Sequence, residues 1–483
     1  MNYSLASLEI AVVLLGVGLL LVDLWLPAAQ KRSLGYVAAA ALGFVLLFSF
    51  SDLAATAQPT TAFAGMFIQD AFALFFKRLF LVAAILVLVM AVEFADRLPA
   101  AVSEYYSLIL FALAGMMFAA SANDLSLLFV AVELITVTFY VLVSFQRNRL
   151  ASLEAGVKYL MLGALSSALM VFGIALVFGT SGTMNFQELA AASPALKADP
   201  IFLVGLLLVL AGLGFKIAVF PMQLWAPDVY HGAPTPTTAF LAIGSKAAGF
   251  ALLFRFTLTA APVIAARWTQ LWIVVAAVTI LYGNLCAIPQ RNLKRLLGYS
   301  SIAHAGYLLI GVAALSRAGL MAGLFYLGGY LFTVLAAFAV ITVVLRQTET
   351  EDVGGLAGLS QRAPFLALAL TLALASLAGI PPLVGFFGKF LLLAVAIEQG
   401  ATNPGFYWLA AIALVGVVIS ICYYFGVVRA IYWARNDREQ PPITLSSPMK
   451  FVLAVCVVAM FGLGLIPTPL LNLAAAAGMR LGQ

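Results

Sequence analysis

Apolar runs of about twenty residues follow one another along almost the whole chain. A helix needs about 20 mostly apolar residues to cross the hydrocarbon core of a bilayer. Fourteen such runs predict an all-α polytopic membrane protein with about fourteen transmembrane helices. They lie at approximately 5–26, 34–50, 71–95, 105–122, 125–145, 153–178, 201–225, 237–258, 268–288, 293–314, 318–345, 364–397, 406–433 and 449–472. No basic residue precedes the first run, so we interpret it as a span and not as a signal peptide.

The composition excludes the main classes of soluble protein. Hydrophobic residues make up 64% of the chain and charged residues 9%, whereas soluble domains have about 45–50% and about 25%. A water-soluble fold could not cover so much apolar surface. This excludes a cytosolic enzyme, a nucleic-acid binder and a secreted disulfide scaffold. The net charge of +6 does not indicate a nucleic-acid partner, because basic residues of membrane proteins report loop orientation.

The sequence contains no pattern typical of a cofactor or metal site. Its three cysteines, Cys286, Cys422 and Cys456, lie in apolar runs and form no CxxC pair, so we expect inert thiols. No Walker A loop, dinucleotide fingerprint or Cys/His cluster is present. We therefore expect the chain itself to bind no NADH, ATP, haem or iron–sulfur cluster.

Lysine and arginine residues are distributed unevenly between the two sides of the predicted membrane domain. Of the 25, seven fall inside spans, fourteen in loops after odd-numbered spans and four in the remaining loops. The positive-inside rule then places the odd loops in the cytoplasm and both termini outside. The longest connections, about 51–70 and 179–200, become extracytoplasmic, and the mixed-charge loop 346–363 becomes cytoplasmic. We predict no soluble domain.

Two ionisable residues lie near the middle of predicted spans, where a charge costs at least about 2.5–3.5 kcal/mol. Glu133 is in the fifth run, and its short side chain cannot reach either interface. Lys216 is in the seventh run, five residues before Pro221. The proline removes a helical hydrogen bond and predicts a break beside the lysine. Freed carbonyls at this depth are tolerated where they line a cavity, so the pattern indicates a hydrated site.

Lys389 and Lys246 repeat the pattern. Lys389 lies in the twelfth run, shortly after Pro381 and Pro382, which predict a second broken helix. Lys246 lies in the middle of the eighth run. Each of these buried charges could either have a function or only pair structurally with a neighbouring helix, and we favour a function for all four. The four residues are Glu133, Lys216, Lys246 and Lys389.

Other ionisable residues have stronger alternative interpretations. Lys158 is only about one and a half turns into the sixth run, so its side chain could extend to the cytoplasmic interface. Lys77, Arg78 and Arg255 lie nearer the ends of their runs, and for them we favour this interpretation. His231 is assigned to a cytoplasmic loop, with no chemical role.

One histidine lies in a polar stripe of the tenth run. Ser300, His304 and Tyr307 are spaced i, i+4 and i+7, so they share one helix face. Because histidine titrates near neutrality, this stripe could pass protons. The alternative is a single buried histidine whose hydrogen bonds are satisfied and which has no role in proton transfer.

We predict that the buried groups form one line, in which a Glu133–Lys216 pair of variable spacing switches the lysine between charged and neutral states. The members of the line are Glu133, Lys216, Lys246, His304 and Lys389.

The two predicted broken helices indicate internal symmetry. They are five spans apart, and five is odd, so they run in opposite directions through the membrane. Inverted repeats with discontinuous helices are typical of secondary transporters. We predict helices 1–3 in residues 1–100, a first repeat of helices 4–8 in 101–260, a second inverted repeat of helices 9–13 in 261–435, and helix 14 in 436–483.

Three motifs resemble one family of membrane proteins. They are WAPDVYHGAPTPTTAF at 225–240, RNLKRLLGYSSIAHAGY at 291–307 and GIPPLVGFFGKF at 379–390. They are similar to the N subunit of bacterial proton-pumping NADH:quinone oxidoreductase, complex I, and the resemblance covers essentially the whole chain. It implies fourteen helices, two inverted five-helix repeats with broken helices 7 and 12, and one proton channel. The related M subunit has a glutamate where Lys389 stands here.

The resemblance also implies roles for individual residues. The family's helix-five glutamate matches Glu133, and its central lysines match Lys216, Lys246 and Lys389. Lys158 matches a further lysine, and His304 a linking histidine in helix ten. His231 departs from the family, which often has an acidic residue at that position.

The function expected from the resemblance is proton translocation coupled to quinone reduction. The implied cofactors, NADH, FMN, iron–sulfur clusters and quinone, belong to partner subunits. The implied partners are antiporter-like M and K-type neighbours within a bacterial inner membrane. Two alternatives stay open: an Mrp-like cation/proton antiporter without redox partners, and a purely structural subunit in which the buried charges matter only for assembly.

Overall fold

The computed structural model describes residues 3–51, 59–98, 101–347, 351–434 and 442–479. Within these ranges the chain is almost entirely helical. Twelve helical segments are long and apolar enough to cross a membrane, and Leu34–Phe48 and Pro364–Ala378 are shorter apolar helices. Each of the fourteen predicted runs coincides with at least one helix. The prediction of an all-α polytopic membrane protein is therefore confirmed, while the exact number of spans and the two repeats stay predictions.

The helices are numbered in chain order. They are α1 (Ser7–Asp23), α2 (Ala28–Lys31), α3 (Leu34–Phe48), α4 (Ala71–Phe94), α5 (Val102–Ala120), α6 (Leu125–Val143), α7 (Leu150–Ser181), α8 (Phe186–Leu196), α9 (Pro200–Ile217), α10 (Ala226–Gly232), α11 (Thr235–Phe240), α12 (Lys246–Arg255), α13 (Pro262–Arg267), α14 (Thr269–Ala287), α15 (Leu293–Ala313), α16 (Arg317–Gln347), α17 (Leu359–Arg362), α18 (Pro364–Ala378), α19 (Val384–Gly400), α20 (Gly405–Trp433), α21 (Ser447–Leu465) and α22 (Thr468–Gly478).

Short non-α segments complete the described chain. The 3₁₀ turns are Tyr3–Ala6, Ala95–Arg97 and Val353–Leu356, and the π-helical segments are Leu241–Ser245 and Phe256–Ala260. Two short strands, β1 (Thr60–Ala62) and β2 (Phe67–Gln69), pair antiparallel with Thr60 opposite Gln69. This hairpin leads directly into α4.

Polar residues at the ends of apolar helices fix where several of them begin. The side chains of Asp70, Asp124, Asp199 and Asn292 accept hydrogen bonds from the first backbone N–H groups of α4, α6, α9 and α15. Such caps satisfy donors that have no partner within the helix.

The centre of the bundle consists of three segments. In each segment we compare the buried share of the most apolar stretch of 18 residues. All of it is buried in Thr235–Ala260, and 94% is buried in Leu293–Ala313 and in Arg317–Arg346. In the outer segment Leu150–Ser181 the buried share is only 33%. The helix α16 packs against α4, α15, α18, α19 and α21. The predicted relay residues are carried by this centre and by the helices directly around it.

Both predicted helix breaks are present. The helix α9 ends at Ile217, and Ala218 adopts a left-handed conformation at φ 57°. The helix α18 ends at Ala378, followed by Gly379 at φ 89°, and α19 begins only at Val384. Glycine tolerates this backbone region without steric cost. The prolines of the two runs therefore interrupt them as the sequence predicts.

Candidate functional site

Lys216 lies in the last turn of α9, immediately before the break, and is 2% exposed. Its Nζ donates a hydrogen bond of 2.8 Å to Oγ1 of Thr136 on α6. Thr136 in turn donates to the carbonyl of Val132 at 2.6 Å. The ammonium group is thus held by a neutral hydroxyl.

Glu133 lies one helical turn before Thr136 on α6 and is partly exposed. It accepts a hydrogen bond of 2.5 Å from the hydroxyl of Ser167 on α7. No Glu133–Lys216 ion pair is formed among the described residues, so the pair of variable spacing stays a prediction. The two groups are separated because Thr136, three residues further along α6, occupies the position next to Lys216, whereas the Glu133 carboxylate meets α7.

Lys246 is the first residue of α12 and follows a π-helical segment directly. Its Nζ donates to the carbonyl of Ser301 at 2.7 Å and to the Ser301 hydroxyl. The same hydroxyl lies 2.9 Å from the hydroxyl of Tyr230. Segments of π-helix are frequent at functional sites, because they re-aim side chains within a helix.

His304 lies in the middle of α15 between two tyrosines. Its Nδ1 is hydrogen-bonded to the Tyr326 hydroxyl, and its Nε2 lies 3.2 Å from the Tyr424 hydroxyl. Tyr424 is also bonded to Ser300, so Ser300 and His304 meet the same phenol. The predicted third member of the stripe, Tyr307, instead donates to the carbonyl of Ala413 at 3.2 Å.

Lys389 lies on α19 and reaches back across the second break. Its Nζ donates to the carbonyls of Leu377 and Ala378 at 2.7 and 3.1 Å, and it lies 4.9 Å from the centre of the Tyr307 ring. These carbonyls are at the end of α18, where they have no partner within the helix and where the helix dipole favours a cation. The break therefore creates the acceptors that hold this lysine.

Lys158 lies apart from these contacts. Its Nζ is 2.6 Å from a carboxylate oxygen of Glu154 and 2.9 Å from one of Asp228, and its side chain is 43% exposed. Asp228, on α10, also lies 2.5 Å from Arg295. Burial alone would raise the pKa of Asp228, but Lys158 and Arg295 hold it below its ordinary value.

Comparison with known proteins gives one consistent family. The family model described as "NADH:quinone oxidoreductase/Mrp antiporter, TM" matches residues 122–420, which include all six predicted site residues. A relative named NADH-quinone oxidoreductase subunit N, from Heliobacterium modesticaldum, is 41% identical, with 100% of both chains covered. The chain belongs to the NADH-quinone oxidoreductase subunit N family.

Solved structures agree with this assignment. A chain of respiratory complex I from Thermus thermophilus is similar with a TM-score of 0.79 and 33% identity, covering 97% of this chain and 99% of that one. A chain of the Mrp complex from Dietzia sp. has a TM-score of 0.84 at 23% identity, covering 100% and 98%. At that identity the likeness to the Mrp chain shows a shared fold only.

Two buried cations of this subunit N family member are not placed as the sequence predicts. Lys77 and Arg255 do not extend to an interface. Lys77 is fully buried and lies 2.6 Å from Glu9, and Arg255 makes two hydrogen bonds of 2.8 and 3.0 Å to Asp70. The interpretation failed because their carboxylate partners come from sequence-distant elements. Asp70 thus caps the start of α4 and is also the counter-ion of Arg255, the last residue of α12.

A second ionic cluster surrounds Glu351, in the connection after α16. Its carboxylate lies 3.0 Å from Arg149, 3.1 Å from Lys294 and 3.7 Å from His231. His231 lies on the short helix α10, within the connection between the candidate spans Pro200–Ile217 and Thr235–Ala260. Burial would raise the pKa of Glu351, but Lys294 and Arg149 lower it; burial lowers the pKa of His231.

Sequence reasoning missed the neutral partners of the predicted residues. These are Thr136, Ser167, Ser301, Tyr326 and Tyr424. Thr136 carries one usable signal, since it is spaced i, i+3 from Glu133. No group of three or more metal-binding side chains is found within the described residues.

Proposed function

We propose that this chain is a proton-translocating membrane subunit of an NADH:quinone oxidoreductase. Proton transfer would run through Glu133, Lys216, Lys246, His304 and Lys389, with Lys158 at the entrance. The redox chemistry of NADH, FMN, iron–sulfur clusters and quinone would take place in partner subunits. The neighbours in the membrane arm would be antiporter-like M and K-type subunits, in a bacterial inner membrane with both termini outside.

One observation carries this proposal. Each of the three central lysines is buried, and each is held by neutral oxygen acceptors: a threonine hydroxyl, a serine carbonyl and hydroxyl, and two helix-end carbonyls. A neutral acceptor stabilises an ammonium group without fixing its charge as a carboxylate would. Groups whose charge can change are those that a proton relay requires.

The relay would work in steps. A change in the distance between Glu133 and Lys216 would alter the charge of Lys216, because Coulomb coupling is strong at low dielectric. The released proton would pass to Lys246, then by Ser301 and Tyr424 to His304, and finally to Lys389. Hydrogen bonds between side chains join only parts of this route, so water molecules would bridge the remaining intervals.

The test is NADH-driven proton uptake in inverted membrane vesicles that carry Lys216→Ala, with assembly of the complex quantified in parallel. The control is Lys197→Ala, which removes an exposed lysine. We expect lost proton uptake with normal assembly for Lys216→Ala and no change for the control. Full proton uptake in an assembled Lys216→Ala complex would contradict the relay.

The same vesicles separate the alternatives. An Mrp-like antiporter would exchange cations for protons without NADH and would not co-purify with iron–sulfur subunits. The 41% identity over the full chain to a subunit N favours the oxidoreductase over the Mrp chain at 23%. A purely structural subunit predicts that proton uptake falls only in proportion to lost assembly.

A further inference from the structure

An apolar groove that contains a single cationic side chain shares none of its lining residues with the proposed relay. It has a volume of about 440 Å³ and runs between α3, α4, α16 and α22. Pockets of this size hold drug-sized apolar ligands. Its walls are apolar except for one guanidinium, that of Arg78. The leucines among the lining residues are Leu46, Leu74, Leu79, Leu331, Leu470 and Leu473.

Arg78 has hydrogen-bonding capacity to spare. Its Nε donates to the Ser49 hydroxyl at 3.2 Å and its Nη2 to the Ser49 carbonyl at 2.6 Å. Phe50 lies against its face, 4.0 Å from the guanidinium carbon to the ring centre. A guanidinium has five N–H donors, so the remaining ones can meet a ligand. Arg78 forms no ion pair with any carboxylate of the described ranges.

This sets Arg78 apart from its neighbours on the same helix and in the same bundle. Lys77 is paired with Glu9, and Arg255 with Asp70. The three central lysines of the relay also lack a carboxylate partner, but they are at most 4% exposed, whereas Arg78 is partly exposed and opens onto an apolar groove. A cation within a membrane-spanning helix is costly, so an anion that can lie in this groove within a bilayer would stabilise Arg78.

Arg78 lies in the first third of α4, from which its long side chain can extend towards the level of the lipid head groups. It lies seven residues after the start of α4, about two helical turns. Its partners Ser49 and Phe50 follow the end of α3, and Phe50 is 59% exposed. Arginine binds phosphate oxygens in bidentate geometry. The groove extends to both sides of Arg78 along α4, from Ala71 to Val82, and its other walls are formed by α3, α16 and α22.

We propose that this groove binds an anionic phospholipid, with the phosphate on Arg78 and an acyl chain between α4, α16 and α22. The lipid would link α3 and α4 to α22, the last helix that the structure describes. The site lies outside the proton relay and does not depend on it.

The test uses the assembled complex in phosphatidylcholine vesicles that contain a photoactivatable phosphatidylglycerol, with cross-linked peptides mapped by mass spectrometry. We expect cross-links on the groove segments of α4 and α22, reduced about tenfold by Arg78→Gln, which removes a charged hydrogen bond. Arg317→Gln, at an exposed arginine, is the control and should leave them unchanged. A photoactivatable phosphatidylcholine should cross-link there severalfold less.

A second variant tests the groove without touching the charge. Ala476 lines the groove and is exposed, so Ala476→Phe should fill it and abolish the cross-links, whereas Ala168→Phe, at an exposed alanine of α7, should not. The proposal would be overturned if both lipids cross-linked equally to the groove, or if the cross-linked peptides came from a partner subunit and none from α4 and α22.

Discussion

Thr136→Val should impair proton transfer although it removes only one oxygen atom. Thr136 provides the single hydrogen-bond acceptor that the described residues offer to the Lys216 ammonium, at 2.8 Å. Valine has nearly the same shape, so packing is preserved. The loss is that of a hydrogen bond to a charged group, about 1.5–3 kcal/mol. Since 1.36 kcal/mol corresponds to a tenfold change in an equilibrium constant, the protonated form of Lys216 becomes about ten- to a hundredfold harder to populate. We expect proton uptake to slow by about the same factor when the loading of Lys216 limits the rate.

The neighbouring Thr138 supplies a matched control. Both threonines are buried on α6, with exposed fractions of 2% and 6%, and both donate to a carbonyl four residues back at 2.6 Å. Only Thr136 also accepts from Lys216. Any effect of losing a hydroxyl on α6 itself should therefore appear equally in Thr138→Val.

The assay is the initial rate of NADH-driven proton uptake in inverted vesicles, normalised to assembled complex. We expect a large loss in Thr136→Val, near-normal rates in Thr138→Val, and recovery in Thr136→Ser, which restores the acceptor. Equal rates for the two valine variants would refute the reasoning, because Thr136 would then contribute only to packing.

Three further predictions concern the other polar clusters. Lys77→Met should lower the free energy of unfolding by about 3–5 kcal/mol by leaving Glu9 charged and unpaired, and Lys77→Met with Glu9→Leu should recover most of it, as thermal denaturation of the purified complex can measure. Tyr424→Phe should slow proton uptake more than Tyr423→Phe, because only Tyr424 contacts His304. Glu351→Gln should destabilise the complex at pH 7 by about 1–3 kcal/mol by removing the partner of Lys294 and Arg149. The pKa of Glu351 lies below its ordinary value of 4.5, so this stabilisation exists above that value and disappears as pH falls through the lowered pKa; melting curves of the two proteins should converge in acid.

The positions of the helices and of their breaks could be predicted because they depend on local sequence. An apolar run of sufficient length can satisfy its backbone in a bilayer only as a helix. Pro221, Pro381 and Pro382 interrupt two of these runs wherever the rest of the chain lies. A polar residue in the middle of such a span is expected to face the protein interior. The structure confirms this burial for Lys216, Lys246, His304 and Lys389.

The partners of the charged groups could not be predicted, because they depend on how distant helices rotate against each other. Glu9 and Lys77 are 68 residues apart, and Asp70 and Arg255 are 185 apart. Periodicity gives the face on which a residue lies but not the neighbouring helix that it meets. The π-helical segment before Lys246 is also invisible in the sequence, although it changes the direction of the side chains that follow.

The buried cations fall into two classes by the kind of group that holds them. Lys77 and Arg255 are each held by a carboxylate. Lys216, Lys246 and Lys389 are held by hydroxyl and carbonyl oxygens. Neutralising a lysine of the first class leaves a buried carboxylate without its partner, which is strongly unfavourable.

Neutralising a lysine of the second class leaves only a weakened hydrogen bond to a neutral group. The energetic difference between the charged and neutral states is therefore smaller, and a moderate change in a nearby charge can reverse it. The first class fixes the positions of helices, and the second is suited to exchange protons. Changing Ser301 to aspartate should move Lys246 from the second class to the first and stop proton uptake while leaving the bundle assembled.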